Sequence, residues 1–160
     1  MPAHSQEQRN QYLEQAIRLA VSNVSEGGGP FGAVVVTPDG KVHEGVNRVT
    51  RDNDPTAHAE VVAIRRAAAD TASFDLTGSV LYTSCEPCPL CLSATLWARI
   101  GEVYYAADRH GAARAGFDDA LFYDYFAGSR PDLLPVEHAP LPAADSPFDA
   151  WRNHSGRVDY

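Results

Sequence analysis

Leu13, Ala16, Ile17, Ala20, Val21 and Val24 lie three or four residues apart, a spacing that predicts an amphipathic helix from about Gln6 to Asn23. Gly27-Gly28-Gly29 stops it, and the period then changes. Phe31 to Thr37 is an apolar, β-branched run, Pro38-Asp39-Gly40 is a turn, and Lys41 to Asn47 is the alternating return strand of a hairpin. Asp54-Pro55-Thr56 signals a helix start, and Val61, Ile64 and Ala68 give the following residues an apolar face of helical period. Val80 to Thr83 reads as a third strand, Pro89 as the first residue inside another helix, and Glu102 to Ala107 as a fourth strand. Strands joined through a helical crossover run parallel in one sheet, so the third and fourth are expected to pair that way. Ala120 to Phe126 is a further helical run behind Gly116-Phe117-Asp118-Asp119, where either aspartate suits an N-cap. Five of the eleven prolines fall between Arg130 and Pro147, which predicts a stiff, extended connection with one short edge strand near Val136. Ser146-Pro147-Phe148-Asp149 then supplies an N-cap, a proline at the first helical position and an early acid, opening a last helix that Gly156 closes. No internal repeat or low-complexity tract is present.

Alternation of helical and extended periods in a chain of 160 residues, 44% of them hydrophobic, predicts one α/β domain. Residues 1–129 form its body; residues 130–160, the Pro-rich linker and terminal helix, belong to the same domain. A net charge of -8 argues against a nucleic-acid surface, which gathers Lys and Arg, and favours a small-molecule partner. Residues 1–25 show no signal-peptide pattern, and no run of eighteen apolar residues occurs, so a cytoplasmic protein without a membrane partner is expected. The three cysteines fit a reducing compartment. Gly27, Gly29 and Gly32 spell G-x-G-x-x-G, but behind a helix and ahead of a strand, the reverse of a dinucleotide-binding turn.

Chemistry concentrates in His58-Ala59-Glu60 and Pro87-Cys88-Pro89-Leu90-Cys91. One imidazole and two thiolates suit Zn²⁺, and three protein ligands leave the fourth tetrahedral position for water, as in catalytic rather than structural sites. Glu60 stands where a carboxylate can move protons beside that water. With Pro89 at the first helical position, Cys88 is the N-cap and Cys91 lies in the first turn, where the helix end favours thiolate. His58 and Glu60, two apart, reach one metal only from a helix end, so two helix N-termini are expected to meet at the ion. Cys85 is placed outside in a loop; the competing arrangement is a closed structural zinc held by His58, Cys85, Cys88 and Cys91. His4, His43, His110, His138 and His154 lack ligand spacing and are expected on the surface. Trp97 suits core or a dimer interface.

The histidine-x-glutamate and proline-cysteine-x-x-cysteine pair is the signature of the zinc deaminases of nucleobases. Five segments, Gly29–Ala33, Asn53–Glu60, Tyr82–Cys88, Ala115–Asp119 and Pro147–Asn153, together resemble the bacterial guanine deaminases of the cytidine and deoxycytidylate deaminase zinc superfamily. The resemblance implies a three-layer, cytidine-deaminase-like fold with a mixed sheet flanked by helices. It also implies one Zn²⁺ per chain on His58, Cys88 and Cys91, and a homodimer in which Ser146 to Tyr160 is swapped over the partner's site. A purine base would lie flat in a small pocket. Asn47 would hydrogen-bond it, Phe31 stack on it, Asp119 accept from a ring N–H, and Ala59 offer its backbone N–H, while Tyr160 tips the lid. Glu60 would pass protons to guanine N3 and then to the departing amine, giving xanthine and ammonia. Read from the residues alone, Asn47 also suits a turn, Phe31 the core and Asp119 a helix cap. A guanosine deaminase, a transfer-RNA adenosine deaminase and a structural zinc protein are the alternative functions.

Overall fold

Ser5 begins the first element, because its hydroxyl accepts from Gln8 N–H while the Gln8 side chain accepts from Ser5 N–H, a complete capping box. The computed structural model, which describes residues 4–160, runs α1 (Gln6–Ser25), β1 (Gly32–Val36), β2 (Val42–Val46), α2 (Val49–Asp52), α3 (Ala59–Thr71), β3 (Val80–Cys85), α4 (Pro89–Trp97), β4 (Glu102–Ala107), α5 (Arg109–Arg114), α6 (Ala120–Phe126) and α7 (Ser146–Asn153). The sheet order is β2-β1-β3-β4; β1 pairs antiparallel with both neighbours, and β3 and β4 are parallel, as the crossover through α4 requires.

Two apolar layers sandwich this mixed sheet. Val34, Val36, Val80 and Tyr82 face α1 through Ala16, whereas Ala33, Val35 and Leu81 face α3 through Ala59, Ala63 and Ala67. Small residues set the spacing on both sides. A Cβ on Gly32 would collide with the Ala16 carbonyl of α1, and one on Gly45 with the Ala59 carbonyl of α3. Either collision involves backbone, so α1 and α3 could not seat as closely with any other residue there. The α3 contact matters most for function, since it presses the first turn of that helix against the sheet.

Several expectations are corrected. α3 starts at Ala59, because Asp54 folds its carboxylate onto Thr56 N–H (2.8 Å) in a turn instead of capping a helix. Its buried face centres on Ala59, Ala63 and Ala67, with Ile64 only partly buried. α2 and α5, too short to display a period, were not foreseen. Near Val136 there is no strand: residues 134–144 form no regular element, and a 3-10 turn, Pro131–Leu133, precedes them. α7 takes Asp145 as N-cap and ends at Asn153, before Gly156. His43 is buried between the sheet and α3 rather than on the surface, and the His4 ring meets the Tyr82 hydroxyl at 2.5 Å. Trp97 is 67% exposed, so within one chain it is not core. No helix among the described residues is long and apolar enough to cross a membrane.

Candidate metal centre and active site

His58 is the N-cap of α3 and Cys88 the N-cap of α4, both with extended backbone (ψ 154° and 169°), and neither side chain bonds back to its own helix. Pro89 occupies the first position of α4, where its missing N–H costs nothing. The two helix starts face each other at one end of the sheet. His58 Nδ1 lies 3.5 Å from Cys88 Sγ and 3.4 Å from Cys91 Sγ, and the sulfurs are 3.6 Å apart. Tetrahedral zinc with ordinary bond lengths requires N···S edges of about 3.6 Å and S···S edges of about 3.8 Å. The three donor atoms thus span a triangle of the size the ion needs, and their one-nitrogen, two-sulfur set is the kind zinc prefers.

The two thiols are free to ligate. Both are buried and neither is in a disulfide. A hydrogen bond from the Cys91 sulfur, and then His58, pull the Cys88 thiol well below its ordinary range, while the same bond and burial push Cys91 up. A bound zinc would hold both as thiolates, the form that ligates.

Glu60, 7% exposed, opens onto a cavity of about 490 Å³ that also touches His58 and Cys88. Burial pushes its carboxyl above the usual range, as suits a group that gives and takes protons. Phe31, Asn47 and Asp119 line the same cavity. Asn47 is both turn and wall: its Oδ1 accepts from Val49 N–H (3.2 Å), and Asn23 Nδ2 donates to its carbonyl (2.8 Å). Asp119 is the N-cap residue of α6 by position, as expected, but its side chain makes no cap bond. Its Oδ1 is buried without a protein partner, and its carboxyl is raised first by desolvation and then by Cys88. An orphaned acceptor facing a cavity is a place for a ligand donor.

Two expected residues lie elsewhere. Ala59 is fully buried in the core and does not line the cavity, although its N–H belongs to the first turn of α3. Tyr160 is 70% exposed and sits beside Phe74, Trp97 and Trp151 of its own chain, away from the cavity. Phe117 was missed: its ring meets Phe31 edge-on at 4.9 Å and closes one side of the cavity. Its place in Gly-Phe-Asp-Asp was the available signal.

Cys85 ends β3 rather than lying in a loop. It touches the cavity but contributes no atom to the three-donor cluster; burial pushes its thiol up to about 11, and the thiol donates to the Asp108 carbonyl at 3.7 Å. Cys85→Ser should therefore keep one zinc per chain by metal analysis, whereas Cys88→Ser and Cys91→Ser should lose it. An empty site in Cys85→Ser alone would restore the closed structural arrangement.

Comparison with known proteins agrees with this geometry. The model of the cytidine and deoxycytidylate deaminase zinc-binding region matches residues 6–107. The guanine deaminase of Bacillus subtilis is 48% identical over 153 residues, covering 93% of this chain and 97% of its own. A crystal structure of guanine deaminase from that organism superposes with a TM-score of 0.89 and 46% identity, covering 98% of this chain and 99% of its own. A transfer-RNA-specific adenosine deaminase of Haemophilus influenzae is 34% identical over 71% of this chain and 66% of its own. With the fold, the donor triangle and the buried glutamate in agreement, the chain belongs to the zinc-binding cytidine and deoxycytidylate deaminase family.

Proposed function

We propose that the protein hydrolyses guanine to xanthine and ammonia, acting on the free purine base in the cytoplasm as a step of purine breakdown. The observation that carries this reading is the orphaned Asp119 carboxylate in the same cavity as Glu60 and the donor triangle. A ring N–H of a purine is the partner it lacks. The likeness to the Bacillus subtilis guanine deaminase supports the choice of base, because it continues through the α6 and α7 region beyond the residues common to the wider family.

Zinc held by His58, Cys88 and Cys91 supplies a Lewis acid that makes water nucleophilic near neutral pH. Everything else falls to the protein. Glu60 takes a proton from the attacking water and hands it to N3 of the base, which makes C2 electrophilic. A second transfer through the same carboxylate reaches the amino group, which departs as ammonia. Asn47 and the Ala59 N–H hold the base edge, and Phe31 stacks on its face. The cavity volume lies in the range of small-molecule sites, and the acidic surface, net charge -8, suits a free base rather than a polyanion. Ammonia release measured on guanine, guanosine, adenine, cytosine, cytidine and transfer RNA tests the assignment. Turnover of guanine alone is expected; preferred deamination of transfer RNA or a nucleoside overturns it.

We further propose a homodimer in which Ser146 to Tyr160 crosses to cover the partner's site. α7 carries Phe148 and Trp151 at 60% and 40% exposure, and no residue after Phe122 lines the cavity of its own chain. The connection 130–145 can span up to roughly 50 Å if extended at ~3.1 Å per residue, enough to reach another subunit. Truncation after Ala144 is expected to leave a folded, zinc-loaded protein with most guanine turnover lost. Mixing it with full-length Glu60→Gln should restore part of the activity, since the tail of the inactive subunit covers the intact site. No recovery in verified mixed dimers counts against the swap, and full activity after truncation removes the lid.

A further inference from the structure

Two of the pieces of chain that line the cavity are joined by one charged cluster. One piece is the metal loop, Cys85 to Cys91. The other is the arm Arg109–Phe126, comprising α5 and α6, which brings Phe117, Asp119 and Phe122 to the cavity. Glu86 lies in the loop. One of its carboxylate oxygens accepts from Arg109 Nη2 (2.7 Å) and Nε (3.1 Å), and the other accepts from the Arg109 backbone N–H (2.9 Å). The guanidinium carbon of Arg109 then lies over the Tyr123 ring, 3.7 Å from its centre. Tyr123 in turn donates its hydroxyl proton to the Pro87 carbonyl at 2.6 Å. The path closes on itself: loop to arm through Glu86 and Arg109, arm back to loop through Tyr123 and Pro87.

This cluster has the marks of a built contact rather than a chance surface pair. The side chains of Glu86 and Arg109 are 15% and 29% exposed, against more than half exposed on both partners in Lys41–Asp39 and Arg152–Asp149. Partial burial, several charge-assisted bonds and stacking on an aromatic face suit arginine and would be poorly served by lysine. Three residues after Arg109 and four before Tyr123 respectively, Ala112 and Asp119 face the cavity. Arg109 and Asp119 also influence each other electrostatically without a bond between them: the guanidinium opposes the desolvation that raises the Asp119 carboxyl.

We propose that Arg109 is a positioning residue, which by clamping Glu86 and Tyr123 holds the α5–α6 arm against the metal loop and thereby fixes Asp119 where it meets the base. The proposal rests on the guanine reading above. It places a determinant of base recognition outside the cavity wall, on a residue that touches neither metal nor substrate. Misplacing a recognition group by about 1 Å can cost up to ~10²-fold, so a clamp can matter as much as a contact.

The test is a double-mutant cycle on purified, metal-analysed protein. Arg109→Ala is expected to keep one zinc per chain and to lower kcat/KM for guanine roughly 10- to 100-fold. Arg109→Lys should recover little of that loss, and Tyr123→Phe, which removes only the bond to Pro87, should lower kcat/KM by a smaller factor in the same direction. The deciding measurement is Arg109→Ala in an Asp119→Ala background, where little further loss is expected because the group it positions is gone. Multiplying losses in that double variant would overturn the proposal, as would loss of zinc in both Arg109→Lys and Tyr123→Phe, which would make the cluster a brace for the metal loop only. Wild-type kinetics in Arg109→Ala would overturn it as well. A wild-type enzyme inactive on guanine but active on another base would instead fail the substrate reading; the same cycle run on that base then decides the clamp by the same criteria.

Discussion

Glu60→Gln should leave fold and zinc intact and remove deamination. Glutamine has nearly the shape of glutamate, and residue 60 is buried at the start of α3 with Val61 packed against Cys88 and Cys91, so the change preserves volume where volume matters. What it removes is the ability to hold a proton. A positioned acid–base group contributes about 10²–10⁴-fold, and the proposed mechanism routes two transfers through this carboxylate in each cycle, so a loss toward the upper end is expected. Burial also means that bulk water is poorly placed to substitute for it. Metal analysis and guanine turnover on the same preparation provide the check. Activity near wild type with zinc present would remove Glu60 from the mechanism; loss of zinc alongside activity would make it part of the metal site's support.

The ease with which this site is found in the sequence follows from how local its signals are. Pro89 fixes Cys88 as a helix cap, and a cap with Cys91 three residues later can only put both sulfurs at one helix end. The hairpin and the parallel β3–α4–β4 unit were legible for the same reason, since turn residues and a crossover constrain pairing within a short stretch. Where the determining contact lies far away in the chain, the pattern said less. α5 has six residues and no period, and besides its local Asp108 cap it is held through Arg109 by Glu86, 23 residues earlier. Phe117 gains its role only by meeting Phe31 across the cavity. His43 reads as a polar residue on an alternating strand, yet its alternate face is the inner one. Tyr160 is the converse case. The resemblance assigns it to an active site, but in the structure it sits beside Trp97 and Trp151 of its own chain, away from the cavity.

Asp119→Ala should cost guanine turnover far more than zinc. The residue lines the same cavity as His58 and Cys88 but is not part of the three-donor cluster, and its buried Oδ1 has no partner in the protein, so truncation breaks no hydrogen bond at that atom that the fold depends on. The absence of a side-chain bond to the first turn of α6 also means that no helix cap is lost. In the complex the situation reverses. A hydrogen bond to a charged group is worth about 1.5–3 kcal/mol, or roughly 10- to 150-fold in kcat/KM, and in the proposed mode it is made to the feature that marks the base, a ring N–H. Discrimination gives the sharper readout. Against wild type, a guanine analogue methylated at that ring nitrogen should be a poor substrate, because it leaves the Asp119 carboxylate desolvated and unpaired. Against Asp119→Ala the two substrates should converge, since the penalty disappears with the carboxylate. Unchanged guanine kinetics in the variant, or an undiminished preference for guanine over its methylated analogue, would assign recognition to Asn47 and the backbone and leave Asp119 without a part in it.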